Sequence, residues 1–217
     1  MIQVLLQYHQ LLLHGFATTL ELLGCIMLIG IPLGVVLGIV GGRYNNNVGS
    51  LIKQARFVTK IIPVLVFLFW LHYPLQAIFD IVVNPFVTTI VALGLINIIA
   101  TAHIILVELE LLPKSYREAG ITLGLSKNQV IKHIELPLLL RRAAPQLLLV
   151  QASMLEYTLF ASLISVPELF RVAQTINSML YKPVAIYSLL VLFFVLILAP
   201  LHLGTKWIER KYATQYA

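Results

Sequence analysis

The sequence contains no pattern for a catalytic nucleophile or a phosphate-binding loop. There is no G-x-x-x-x-G-K-[ST] run, no Ser/His/Asp order, no H-E-x-x-H helix and no Cys/His metal spacing. The single cysteine, Cys25, lies in an apolar segment and is expected to be a small buried residue. What stands out instead is a polar stretch, residues 115–137, whose capping residues and glycines have the spacing of a folded contact element. Such an element would transmit force or bind a partner, and we expect no catalytic residue, metal or cofactor in this chain.

The polar stretch predicts two short helices. Ser115 stands three residues before Glu118, and this pairing satisfies two backbone N–H groups at a helix start. Ser126 and Gln129 repeat the pattern and predict the start of a second helix. Between them, Gly124 can adopt a positive φ at no steric cost, which favours a turn.

Two further residues bear on the length and packing of these helices. Pro137 is expected to end the second helix, because its ring disfavours helical geometry at the preceding Leu136. Gly120 costs about 1 kcal/mol relative to Ala inside a helix, so we expect it to allow close packing. An ordinary solvated hairpin or a DNA-reading helix-turn-helix would share these features, but short connections to apolar segments disfavour DNA binding.

The same residues resemble the EAA loop of ABC importer permease subunits. In that family Glu-Ala-Ala is followed after three residues by Gly, and after nine more by Ile-x-Leu-Pro. Here the matching positions, with Gly120 replacing the second Ala, are Glu118, Ala119, Gly120, Gly124, Ile134, Leu136 and Pro137. The resemblance implies that this loop, with Ser115 at its start, docks on a cytoplasmic ATPase that binds ATP and Mg²⁺.

Composition independently indicates an integral membrane protein. Hydrophobic residues make up 59% of the 217-residue chain and charged residues 11%, and the mean hydropathy is +0.93. Soluble domains carry about 25% charged residues. We predict a single all-α, polytopic domain, 1–217, with five transmembrane helices, at residues 16–40, 57–77, 86–107, 144–166 and 184–203. Pro63 and Pro74 are candidate kink positions in the second.

Three segments outside these spans have predicted roles. Residues 1–14 are expected to form an interfacial helix, and 167–183 an external amphipathic helix. The cytoplasmic coupling loop is expected at 108–143. Within the first span, Gly30, Gly34 and Gly38 form a small-residue stripe that would let another helix approach closely.

The distribution of basic residues predicts the orientation. If 41–60, 108–143 and 206–217 are cytoplasmic, they hold 13 of the 15 Lys and Arg residues, and only Arg171 and Lys182 lie outside. The amino terminus is then external and the carboxyl terminus cytoplasmic. This places the EAA-like loop where an ATPase could reach it.

Polar residues within the spans are candidates for the translocation path, since each is costly in lipid. They are Lys60, Asn97, His103, Glu156 and Thr158. By resemblance, Lys60 replaces a family arginine, His103 replaces a family carboxylate, and the stretch with Glu156 and Thr158 is similar to the family's K-D-T-S-L segment. Glu156 is equally compatible with a structural role in a helix interface.

The sequence therefore predicts the permease subunit of a prokaryotic ABC importer in the plasma (inner) membrane. The resemblance implies a polar amino acid as cargo. It also implies as partners a pair of ATPase subunits, a second permease that is identical or homologous, and an external solute-binding protein near 167–183. The alternatives are an ion-gradient-driven secondary transporter, which would show inverted repeats, and a membrane-tethered helix-turn-helix regulator.

Overall fold

The computed structural model describes the backbone of residues 2–213 and the side chains of residues 5–210, and this part of the chain is helical without β-strands. A π-helical segment, Ile131–Glu135, precedes α8, and a 3₁₀ segment, Leu159–Ile164, follows it. The α-helices are α1 (Ile2–Arg43), α2 (Asn46–Ile61), α3 (Val64–His72), α4 (Pro74–Ile78), α5 (Pro85–Glu110), α6 (Lys114–Thr122), α7 (Lys127–Val130), α8 (Leu136–Thr158), α9 (Leu169–Leu180) and α10 (Pro183–Ala213).

Within the described residues, four helical stretches are long and apolar enough to cross a membrane: Leu5–Arg43, Pro85–Glu110, Lys127–Ile164 and Pro183–Arg210. They contain the predicted first, third and fifth spans, and the third stretch covers the predicted fourth span except its last two residues. The predicted second span, at 57–77, overlaps a helix pair, Asn46–Ile61 and Val64–Ile78, that is bent by 96°; counted as one broken span, this pair is the fifth. Pro63 lacks an N–H group and forces the preceding Ile62 into an extended conformation (φ −78°, ψ 119°), which ends α2.

The seam between α1 and α5 is the largest helix contact, and the predicted glycine stripe forms it. A Cβ atom on Gly34 would lie 2.5 Å from Thr101 Cβ, and one on Gly30 would lie 2.6 Å from Asn97 Cγ. The two backbones thus approach to a distance that only glycine permits. This confirms the prediction of a small-residue packing stripe.

The predicted helix at 1–14 leads into the first span through a kink. Helix α1 runs from Ile2 to Arg43 with a single kink at Tyr8 (φ −116°, ψ 17°). Met1 lies outside the described residues. The placement of this segment at the membrane surface stays a prediction.

The predicted amphipathic helix at 167–183 corresponds to α9. Its apolar face is buried, with Leu169, Ala173 and Ile176 packed against Leu12 of α1 and Ile186 of α10. Its external location stays a prediction.

A second core joins α3, α5 and α8. Leu68, Leu93, Ile96 and Met154 are buried there together with Ile164. This core fixes α3 across the bundle, beyond the bend at Pro63.

Candidate docking and translocation sites

The loop between α5 and α8 has the predicted helix–turn–helix form, with one difference at its start. Helix α6 begins at Lys114 with Pro113 as N-cap and no side-chain cap, so the predicted Ser115–Glu118 capping pair is wrong. Pro113 provides a helical φ, and the helix begins two residues earlier than a Ser115 cap would allow. The exposed Ser115 and Glu118 side chains are therefore not used in capping.

The turn and the second capping pair are confirmed. Gly124 has φ +80°, a conformation that L side chains rarely adopt. At α7, the Ser126 side chain accepts from the Gln129 N–H at 3.4 Å, and the Gln129 side chain accepts from the Ser126 N–H at 2.8 Å. The second short helix is thus capped directly after the turn at Gly124.

Gly120 has the packing role predicted for it. It is buried, and a Cβ atom there would lie 2.9 Å from Ile134 Cδ1 and 2.9 Å from Val130 Cγ2. The alanine found at this position in the EAA pattern would crowd these two side chains. The α6 helix therefore packs directly on the segment that begins α8.

Pro137 does not end the second helix, contrary to the prediction. α7 continues through the π segment into α8, and Pro137 lies in the first turn of α8. The wider π turn, in which the Leu136 N–H donates to the Ile131 carbonyl, accommodates the ring and its missing N–H. The loop between α5 and α8 is consequently continuous with a candidate membrane span, Lys127–Ile164.

The α1–α2 turn braces the loop from the side. Tyr44 Oη donates to Asn128 Oδ1 at 2.6 Å, and Lys127 Nζ donates to the Arg43 carbonyl at 2.6 Å. The same ammonium lies 4.5 Å from the centroid of the Tyr44 ring. These contacts hold α7 against the end of α1.

A buried ion pair strengthens this brace. Arg43 Nε donates to Glu135 Oε2 at 2.8 Å, and the Arg43 Nη2 group donates to the Leu109 carbonyl at 3.1 Å. The Glu135 side chain is 1% exposed. Sequence reasoning missed the pair, although Glu135 occupies the variable position of the Ile-x-Leu-Pro pattern, since nothing local links it to residue 43.

The loop also exposes apolar side chains. Tyr116, Ile121 and Leu123 are 42%, 55% and 79% exposed, and Glu118 and Ala119 are exposed beside them. Ile134 and Leu136 are half-buried and pack on the loop's inner side. Apolar side chains exposed on a polar loop indicate a contact surface.

The predicted pathway residues do not gather in one place. Lys60 lines a cavity of about 500 Å³ at the α2–α3 bend. His103 is half-buried on α5 and interacts electrostatically with Lys60. Glu156 is exposed, and Thr158 is buried and donates to the Leu155 carbonyl at 2.6 Å.

Asn97 lies in the α1–α5 seam, away from the cavity. Its Nδ2 group donates to Gln151 Oε1 at 3.0 Å and to the Ile26 carbonyl at 3.3 Å. Its Oδ1 atom accepts from Gln151 at 3.2 Å and from Thr101 at 3.2 Å. All of its hydrogen-bonding capacity is used within the chain.

Among the described side chains, no group of three His, Cys, Asp or Glu residues could hold a metal ion. Glu168, the N-cap of α9, is an acid outside the spans whose pKa is strongly shifted. Burial raises the pKa of its carboxyl to about 7, against the lowering effect of the N–H groups of Phe170 and Arg171. It is therefore a structural cap.

The fold is therefore that of a polytopic helical membrane protein with a braced loop that exposes apolar side chains. Residues 30–214 match the family described as the inner membrane component of binding-protein-dependent transport systems. The chain belongs to this family, and it is a membrane-spanning transport subunit of the inner membrane. This membership excludes the regulator and favours a permease over a gradient-driven carrier.

Curated relatives agree with this assignment along most of the chain. The glutamine transport system permease protein GlnP of Escherichia coli K12 is 28% identical over 206 residues, covering 93% of this chain and 92% of GlnP. The arginine ABC transporter permease protein ArtQ of Haemophilus influenzae is 23% identical over 200 residues, covering 89% and 90%. The L-cystine transport system permease protein TcyB of Bacillus subtilis is 36% identical over 117 residues, covering 54% of this chain and 49% of TcyB.

Solved structures share the fold. An amino acid ABC transporter crystallised with histidines superposes with a TM-score of 0.83 at 20% identity, covering 95% of this chain and 96% of that one. The inward-facing methionine transporter MetNI gives 0.65 at 19% identity, with 97% coverage of both chains. Both agree with the all-helical fold predicted from the sequence.

Proposed function

We propose that this chain is the permease subunit of an ABC importer that carries a polar amino acid and is driven by a separate ATPase. The observation that carries the proposal is the continuity of the docking loop with a span. α7, the π segment and α8 form one helical stretch, Lys127–Ile164. A displacement at α6 and α7 would therefore move a membrane-spanning helix directly.

The bracing contacts supply the stiffness that such coupling requires. The Arg43–Glu135 pair and the Tyr44–Asn128 hydrogen bond join the loop to the end of α1. Since α1 is packed on α5 along the glycine seam, the loop, α1 and α5 would move as one body. Rigid-body rocking of such a unit is a common form of alternating access.

Docking itself is assigned to the exposed face of α6 and the turn. We propose that Ser115, Glu118, Ala119 and Leu123 contact a groove in the ATPase, which would bind ATP and Mg²⁺. The other residues of the EAA-like pattern would maintain the conformation of this face and would not contact the ATPase. They are Gly120, Gly124, Ile134, Leu136 and Pro137. The loop at 108–143 would then be cytoplasmic, as the distribution of Lys and Arg favours.

The remaining assignments follow from this orientation. α9, within 167–183, would lie outside and receive a solute-binding protein, and a second permease, identical or homologous, would complete the path. The polar amino acid is proposed because the relatives named above are permeases for glutamine, arginine and L-cystine.

Co-purification with the ATPase tests the docking assignment. Leu123→Asp places a charge at the most exposed apolar position of the loop, and Glu118→Lys reverses the charge beside it. We expect either variant to reduce ATPase recovery at least tenfold. Val82→Asp is the matched control, since Val82 is fully exposed in the loop before α5, at the opposite end of that helix.

ATPase recovery unchanged in both loop variants would rule out this face as the docking site. Uptake in sealed vesicles tests the energy source separately. Collapsing ion gradients with ATP present should leave uptake running, and uptake that stops under those conditions would instead favour a secondary transporter.

A further inference from the structure

The cavity at the α2–α3 bend lies halfway along the bundle. Its wall includes Ile96 and Ala100, which occupy the middle of the 26-residue helix α5. α2 ends and α3 begins at this level, with a bend of 96° between them. A broken helix at this depth leaves backbone groups unpaired where they can meet a bound molecule.

Two cationic side chains enter this cavity from one face of α2. Arg56 and Lys60 are one turn apart and both line it. No described acidic side chain lies within 4 Å of either charge, and the neighbouring Lys53 is the one that pairs with an acid, Glu110, at 2.8 Å. Two unpaired cations in a largely apolar wall favour the entry of negative charge.

The start of α3 adds backbone hydrogen-bond donors, which also favour an anion. Pro63 is its N-cap and provides no side-chain cap, and the first intrahelical bond runs from the Phe67 N–H to the Pro63 carbonyl. Val64 and Leu65 line the cavity. Their backbone N–H groups therefore have no acceptor within the helix. Such free N–H groups, at the positive end of a helix, bind anions.

The remaining wall is neutral. Ser153 and Tyr157 of α8 contribute hydroxyl groups, and none of the described residues that line the cavity is Asp or Glu. Glu156, next to Tyr157, is exposed and does not form part of the wall. His103 lies close enough to Arg56 and Lys60 for an electrostatic interaction and adds no negative charge.

We propose that this cavity binds the carboxylates of an acidic amino acid, so that the cargo of this transporter carries net negative charge. The inference rests on the proposed function, and it narrows the cargo from polar amino acids in general. Two cations match two carboxylates, and Arg56 can bind one of them through two parallel hydrogen bonds. A cationic amino acid would meet two like charges and no acidic partner.

Ligand binding to the purified permease–ATPase complex tests this. The complex is placed in nanodiscs of zwitterionic lipid and titrated calorimetrically, at constant ionic strength, with L-glutamate, L-aspartate, L-glutamine and L-arginine. We expect the two acidic amino acids to bind at least tenfold more tightly than L-glutamine, and L-arginine to bind most weakly. Arg56→Gln and Lys60→Gln should each weaken L-glutamate binding at least tenfold, and Arg56→Lys should weaken it less.

Lys53→Gln is the matched control, since Lys53 lies on the same helix but outside the cavity. Equal affinities for the four amino acids, unchanged L-glutamate binding in the Arg56→Gln/Lys60→Gln double variant, or equally effective competition by chloride would each overturn the inference. ATP-driven uptake of amino acids without charge preference would overturn this inference and leave the proposed function intact. Selective L-glutamate binding in a complex that transports no amino acid would overturn the proposed function and keep the anion site.

Discussion

Helix α5 has two polar faces that differ in how their hydrogen bonds and charges are satisfied. On the α1 side, Asn97 is buried and bonded to Gln151, Thr101 and the backbone of α1. On the α2 side, Arg56 and Lys60 enter a cavity without an acidic partner. One face is closed by close packing, and the other is open.

The difference shows how to separate structural polar groups from functional ones within a span. An intramembrane polar residue is costly in either role, so its presence alone does not distinguish them. Complete satisfaction within the chain indicates structure, as at Asn97. A charge left without a partner in a cavity indicates a ligand, as at Arg56.

Among changes to packing, the largest expected effect comes from a substitution on the closed face. Gly34→Leu would bring a side chain within 2.5 Å of Thr101 Cβ and 2.8 Å of the Ile98 carbonyl, neither of which can move away easily. We expect a loss of about 3 kcal/mol or more in the free energy of unfolding, at the upper end of overpacking effects. Thermal unfolding in detergent would measure it.

Gly24→Leu is the control within the same helix, because a Cβ atom at Gly24 would have no neighbour within 4 Å. It should unfold close to the wild-type temperature. Equal losses in the two variants would contradict the role of the seam as the tightest contact of the bundle.

Helix α1 also packs on α9, where a pH effect on stability is expected. The buried Glu168 carboxyl has its pKa raised to about 7 from 4.5, so the folded state binds more protons than the unfolded state between these values. Stability therefore falls as pH rises from about 4.5 to about 7, by up to about 3 kcal/mol from this group. Unfolding temperatures across this range should fall less steeply in Glu168→Gln, and identical pH profiles would disprove the assignment.

A smaller loss is expected at Asn97. Asn97→Leu leaves the buried Gln151 amide without its partner, which should cost about 1 to 2 kcal/mol. Adding Gln151→Leu should restore part of the loss, since both polar groups are then removed. A double variant whose loss equals the sum of the two single losses would show that the pair is not coupled.

The sequence predicted the helical class, the glycine seam, the turn at Gly124 and the Ser126 capping pair, because each depends on local backbone chemistry. It failed where distant packing decides the outcome. Pro137 continues a helix because a π turn accommodates it. A kink at Pro63 was predicted, but the angle of 96° at this bend was not. Arg56 was counted only as a topology signal, since its place in a cavity depends on α3, α5 and α8.

The smallest effect on stability is expected on the open face, and it makes the contrast sharpest. Arg56→Leu removes a charge that has no acidic partner, so the free energy of unfolding should change by less than about 0.5 kcal/mol, while uptake of cargo falls at least tenfold. Arg43→Leu is the opposite case, because it strands Glu135 as a buried carboxylate and should cost about 3 to 5 kcal/mol. The free energy of unfolding and the rate of cargo uptake, measured for both variants, distinguish a structural from a functional role of Arg56. If Arg56→Leu is destabilised as much as Arg43→Leu, Arg56 is a structural residue and the two faces of α5 do not differ in the way described.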